Sequence, residues 1–157
     1  MSQPPEHVLE EDQPKGVRRI TLNRPDKRNA FDASIIAQLT RAFTAAEDNP
    51  EVRLVILCAS GKHFSAGADL EWMQATASMS ESENRDDARQ LANLMRVLDD
   101  MSKPVIARVQ GAAFGGALGL VCCADIAVAE RAARFCLSEV RLGLVPATIG
   151  PYVVRAM

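Results

Sequence analysis

Two glycine-rich stretches are where the backbone of this chain could do chemistry: Phe64-Ser-Ala-Gly-Ala-Asp-Leu70 and Gln110-Gly-Ala-Ala-Phe-Gly-Gly-Ala-Leu-Gly119. Each falls between an apolar, strand-like run and a helix-like segment. At such a junction several N–H groups lack intrahelical partners and sit at the positive end of the helix dipole. Small residues let a ligand approach that backbone. The place can bind phosphate, or hold an oxyanion that forms during a reaction. Known phosphate patterns fit poorly: Gly115-Gly116-Ala117-Leu118-Gly119 has the spacing GGxxG, not GxGxxG, and no Lys-Ser/Thr follows as in a P-loop. Two readings stay open from the residues alone. One is close packing of a helix on a sheet, which Gly and Ala permit. The other is an oxyanion site built from two donors on separate loops.

Other chemistry finds little support. His63 reads as a polar loop histidine, because no second His, Asp or Cys is spaced to complete a metal site with it. No Ser-His-Asp order suggests a hydrolase, and Gly-x-Ser-x-Gly is absent. Cys58, Cys122, Cys123 and Cys136 form neither a disulfide framework nor a C-x-x-C pair, so they read as buried thiols in a reducing compartment. The 18 basic and 20 acidic residues give a net charge of −2, which offers no basic face to nucleic acid. The longest charge-free apolar stretch, 109–124, is shorter than the roughly 20 residues a membrane span needs. Met1-Ser-Gln-Pro-Pro-Glu-His7 has neither the basic start nor the apolar run of a secretory signal, which predicts a cytoplasmic protein.

The elements that must position the loops follow from periodicity. With 157 residues, 48% hydrophobic and 24% charged, the chain suits one globular domain. His7–Asp12 and Val17–Leu22 read as strands around a Pro14-Lys15-Gly16 turn, and Asn23–Asn29 as an irregular loop. Asp32 caps a helix carrying Ile35, Ile36, Leu39, Phe43 and Ala46 at helical spacing, ended by Asp48-Asn49-Pro50. Val52–Cys58 predicts a strand covered on both faces. Asp69 is a second cap. Ser80–Met101 predicts the longest helix, with Ala88, Leu91, Ala92, Met95 and Leu98 on its apolar side. A strand over Val105–Val109, a Gly/Ala-rich helix from about Phe114, a strand near Ile126–Val128, an extended Phe135–Glu139 and a final helix with Pro151 in its first turn complete the order. Strands alternating with helices predict the α/β class. Met157 falls inside the last helix, which predicts an incomplete polypeptide.

Six segments, in order and spacing, resemble the crotonase (enoyl-CoA hydratase/isomerase) family. They are Ile20–Phe31 (ITLNRPDKRNAF), Phe64–Leu70, Lys103-Pro-Val-Ile-Ala107, Gly111–Gly119, Ala124–Ala129 and Phe135–Pro146 (FCLSEVRLGLVP). Each is weak alone, but together they span nearly everything after residue 16. The resemblance implies a spiral of ββα turns, here without the C-terminal helical part that closes the acyl pocket and builds much of a trimer contact. It implies an acyl-CoA thioester whose oxygen meets the backbone N–H groups of Ala68 and Gly116. Charge driven onto that oxygen when a proton leaves the α-carbon, or when the conjugated alkene is attacked, would be stabilised there, one such donor being worth about 3–4 kcal/mol. By the same resemblance Ala66 and Leu70 hug the adenine and pantetheine end of CoA. Asp69 touches the ligand or simply caps its helix, while Lys27 and Arg28 pass near the CoA phosphates or are solvated loop charges. Trp72 and Met73 are core, lid or acyl-pocket residues.

Hydratases of the best-known kind in this family use two glutamates. Glu139 matches the second, and Gly119 stands where the first belongs. Three readings follow: a hydratase that positions water with one glutamate plus backbone or a substrate group, an isomerase that moves one proton, or an acyl-CoA binder or decarboxylase. The segments 111–120 and 135–147 look most like bacterial methylglutaconyl-CoA and isohexenylglutaconyl-CoA hydratases, whose substrates carry an extra carboxylate. Coenzyme A would be part of the substrate, with no separate cofactor and no metal. A homotrimer or hexamer is implied for a complete chain, and an inactive fragment is the alternative for this one.

Overall fold

The computed structural model describes residues 6–157; Met1–Pro5, on which most of the leader reading falls, lie outside the described residues. The main sheet has five strands in the order β1 (Val8–Gln13), β2 (Val17–Leu22), β3 (Leu54–Ala59), β4 (Val105–Val109) and β6 (Ile126–Ala129). Only the β1–β2 hairpin is antiparallel; β2, β3, β4 and β6 run parallel. Parallel neighbours need crossovers, and these are supplied by helices. Helix α1 (Ala33–Asp48) links β2 to β3, α2 (Leu70–Thr76) and α3 (Glu81–Asp99) link β3 to β4, and α4 (Gly116–Cys123) lies between β4 and β6. Helix α5 (Gly150–Ala156) packs on α4. The α/β class expected from the strand–helix alternation is the observed one.

Local chemistry explains the helix starts. The Asp32 carboxylate accepts from Ile35 N at 2.9 Å and caps α1. Ile35, Ile36, Leu39, Ala42, Phe43 and Ala46 then bury one face. Ser80 and Glu83 form a reciprocal capping box at the start of α3. The core between α1, α3 and the sheet includes Phe31, Phe43, Phe64, Leu57, Leu94 and Met95, each at most 2% exposed.

Four expectations need correction. The α3 stripe is rotated: Ala88 and Ala92 are exposed, and Leu94 joins Met95 and Leu98 in the core. Alanine is small enough to lie on either face, so it fixed the stripe poorly. The Gly/Ala-rich helix begins at Gly116, because Ala112–Phe114 pair as strand β5 with β7 (Arg134–Cys136). The segment read as extended to Glu139 leaves that ladder after Cys136 and coils into a 3-10 turn over Ser138–Leu142. Finally, the thiols are not all buried: Cys58 and Cys123 are, while Cys122 and Cys136 are half-buried. All four are free, and burial pushes the Cys123 thiol up to about 12.

Candidate active site

The two glycine-rich loops meet in a small second layer of parallel strand segments. Ser65 bridges Ala113 in parallel, Ala113 pairs with Phe135 across β5 and β7, and Phe31 bridges Ala68 on the outer side. The order across this layer is therefore Phe31, the first loop, β5, β7. Ala68 lies three residues beyond Ser65, and Gly116 three beyond Ala113, so parallel pairing sets them side by side at the carboxyl ends of neighbouring segments. Glu139 lies four residues beyond Phe135, past the end of the next segment. Ligands of parallel α/β sheets gather at such carboxyl ends.

Gly67 gives the first loop its direction. Ala66 N donates to Arg28 O at 3.0 Å and Asp69 N to Phe31 O at 2.7 Å, both toward the outer side. Strict strand alternation would turn residues 66 and 68 the same way. Gly67 intervenes with φ +92° and shifts that phase, so that Asp69 rather than Ala68 donates to Phe31. A side chain at Gly67 has no room, since its Cβ would lie 2.9 Å from Phe114 O. Gly115 does the matching work in the second loop. At φ +53° its N–H donates to Cys136 O at 2.9 Å, and α4 begins immediately after it. Among the described residues, neither the Ala68 N–H nor the Gly116 N–H donates to a protein acceptor.

Both donors line one cavity of about 420 Å³, with Ala66, Leu70, Trp72, Met73 and Glu139 also in its wall. The lining is mainly apolar, including Phe31, Leu91, Leu144 and Ile149. Glu139 is half-buried, and its Oε2 atom is buried without a hydrogen-bond partner. Its Oε1 lies 3.1 Å from where a Cβ on Gly115 would stand, so the missing side chain at 115 is what lets the carboxylate close on the donor loop. An unpaired carboxylate oxygen that shares an apolar cavity with two free amides can take a proton from carbon or water and return it.

The other expected contacts divide. Ala66 and Leu70 line the cavity, and Leu70 is 67% exposed there. Asp69 does not: its carboxylate caps α2 by accepting from Glu71 N at 2.8 Å and Trp72 N at 3.4 Å. Lys27 is exposed and paired with Glu71 at 2.8 Å, which holds its ammonium above the usual pKa. Arg28 meets the first loop through its backbone oxygen. Neither Lys27 nor Arg28 lines the cavity. His63 is a latch whose Nδ1 accepts from Ala112 N at 3.2 Å. No group of three or more His, Cys, Asp and Glu among the described residues could hold a metal ion.

Two supporting residues escape sequence reading. Arg24, in the loop read as irregular, reaches Asp32 at 2.9 Å and Asp69 at 3.2 Å, and so ties together the caps of α1 and α2. Buried Asn29 donates from Nδ2 to Ser60 O and His63 O, each at 2.9 Å, and accepts from Arg24 N at 2.8 Å. An Arg and an Asn in a polar loop carry no periodic signal. Only the two aspartates flagged as caps hinted that a cation should lie near them.

Known proteins are similar to this chain in sequence and fold. The model of the family "Enoyl-CoA hydratase/isomerase" matches residues 12–157. The enoyl-CoA hydratase ACTT6 of Alternaria alternata is 38% identical over 147 residues, covering 91% of this chain and 46% of its own. A peroxisomal Delta(3,5)-Delta(2,4)-dienoyl-CoA isomerase of Arabidopsis thaliana is 30% identical over 148 residues, covering 88% and 53%. The crystal structure of an enoyl-CoA hydratase from Shewanella pealeana superposes with a TM-score of 0.94 at 50% identity, over 96% of this chain and 57% of that one. The chain thus spans about half the length of the relatives it matches, and with that reach of likeness it belongs to the enoyl-CoA hydratase/isomerase family.

Proposed function

We propose that this chain provides the proton-transfer and oxyanion half of an acyl-CoA site, acting on an α,β-unsaturated thioester of the methylglutaconyl type. In this reading the thioester oxygen lies between the N–H groups of Ala68 and Gly116. Glu139 takes a proton from water as its oxygen bonds to the β-carbon, electrons move onto the thioester oxygen, and the two amides stabilise that enolate. The protonated carboxyl then delivers its proton to the α-carbon, so one water has been added and Glu139 is restored. Ala66 and Leu70 would flank the CoA chain, Lys27 and Arg28 its phosphates, and the acyl-CoA itself would be the only small-molecule partner, with no separate cofactor.

The observation that carries the proposal is the convergence of two unpaired backbone donors and one unpaired carboxylate oxygen on a single apolar cavity. Turnover is read from loss of the enoyl-thioester absorbance with 3-methylglutaconyl-CoA. Glu139→Gln should lower kcat by about 10²–10⁴. An unchanged rate would remove Glu139 from the mechanism.

One observation favours a second reading, isomerisation. Position 119, where a second carboxylate would stand, is closed by Ile149 and Met95. A lone carboxylate facing an apolar wall suits shuttling a proton between two carbons of the acyl chain. Incorporation of ¹⁸O from labelled water marks hydration; a shifted double bond without the label marks isomerisation.

A further inference from the structure

Gly119 lies in the middle of α4, and the space its side chain would occupy is taken. A Cβ there would stand 2.4 Å from Ile149 Cγ2, 2.9 Å from Ile149 Cβ and 3.1 Å from Met95 Sδ. The methionine is a flexible neighbour that can give way. Ile149 cannot, for three reasons. Its β-branched side chain is stiff at χ1. It is 2% exposed and held in the core. Its carbonyl accepts from Tyr152 N and Val153 N, both at 3.1 Å, so its backbone begins α5 and moves only with that helix. The same residue forms part of the cavity wall shared by Ala68, Gly116 and Glu139.

We infer that Ile149 is the specificity-determining wall of the acyl cavity, held in place by the notch that Gly119 leaves in α4. Glycine at 119 is then not merely an absent carboxylate. It is the hole that a branched side chain fills, and the filled hole presents hydrocarbon to the acyl group on that side. An acyl chain entering beside Glu139 would meet a fixed, branched surface that limits its bulk. This rests on the proposal that the cavity receives the acyl group of a CoA thioester.

Binding of saturated thioesters tests it without relying on turnover. Butanoyl-, hexanoyl- and octanoyl-CoA are titrated calorimetrically against the unaltered chain, Ile149→Val and Ile149→Ala. Trimming the side chain should raise the affinity for octanoyl-CoA relative to butanoyl-CoA by about tenfold or more in Ile149→Ala, with Ile149→Val, which loses one methylene and keeps the branch, intermediate; a methylene in an apolar pocket is commonly worth that much. An unchanged ratio in both variants overturns the inference while leaving the acyl-CoA reading intact. Failure of the unaltered chain to bind any of the three overturns both. The notch is tested separately by a thermal cycle. Gly119→Ala should lower Tm more in the unaltered chain than in Ile149→Ala, which removes the Cγ2 clash but keeps a Cβ 2.9 Å away; equal drops in the two backgrounds would show that 119 and 149 do not interlock.

Discussion

Arg24 does not line the cavity, yet it ties together the caps of helices α1 and α2. Its guanidinium, 14% exposed, pairs with the Asp32 and Asp69 carboxylates, which are 24% and 6% exposed. Each aspartate also terminates a helix, so one cation compensates two charges whose positions are dictated by backbone N–H groups. Removing one partner of a buried ion pair is costly because the other charge stays desolvated. Arg24→Met should therefore destabilise the fold by about 3 kcal/mol in urea unfolding. A loss below 0.5 kcal/mol, estimated as the ~±0.5 kcal/mol typical of surface changes, would mean that water already satisfies both carboxylates. The two caps were readable because an Asp and the amide two or three residues on are sequence neighbours. Their common partner was not, since nothing local marks Arg24 as half-buried between them.

At the scale of elements, α3 carries the clearest start signal and one of the weaker faces. Its first turn is fixed by Ser80 and Glu83, whose side chains each reach the other's backbone. Ser80→Ala should cost about 1 kcal/mol, measurable by thermal or urea unfolding. Leu91 of α3 reaches the cavity wall, so fraying from this end should also weaken the proposed acyl-CoA binding modestly. The apolar stripe of α3 was legible only in part: Leu91, Met95 and Leu98 face inward, but Ala88 and Ala92 do not. Strand β5 was hidden for a different reason. Its three residues, Ala112–Phe114, are too short for a period to show, and they are strand only because Ser65 and β7 lie on either side.

At the scale of the whole molecule, apolar side chains stay exposed on the sheet edge and around the cavity mouth. Ile126 and Val128 on the edge strand β6 are 53% and 55% exposed, and Val140 and Val145 are 75% and 81% exposed. An uncovered strand edge with apolar side chains invites pairing with another chain. In sedimentation, the 17.0 kDa chain should form larger species as its concentration rises, and Val128→Lys should shift the balance toward the monomer. Titration with acetoacetyl-CoA in the same experiment adds a second readout. A defined assembly that binds supports an enzyme, whereas a non-binding, heterogeneous mixture supports a structural fragment. What the sequence alone determined is the content of local signals: the order of strands and helices apart from β5, the two aspartate caps, two loops rich in small residues, and one glutamate in a family-like segment. Those depend on residues within a few positions of each other. Tertiary structure decided that Ala68, Gly116 and Glu139 share a cavity, because their convergence follows from parallel pairing of segments far apart in the chain. It also decided what Gly119 means, since a glycine's missing side chain becomes informative only when the atom filling its place, here Ile149 Cγ2, is known.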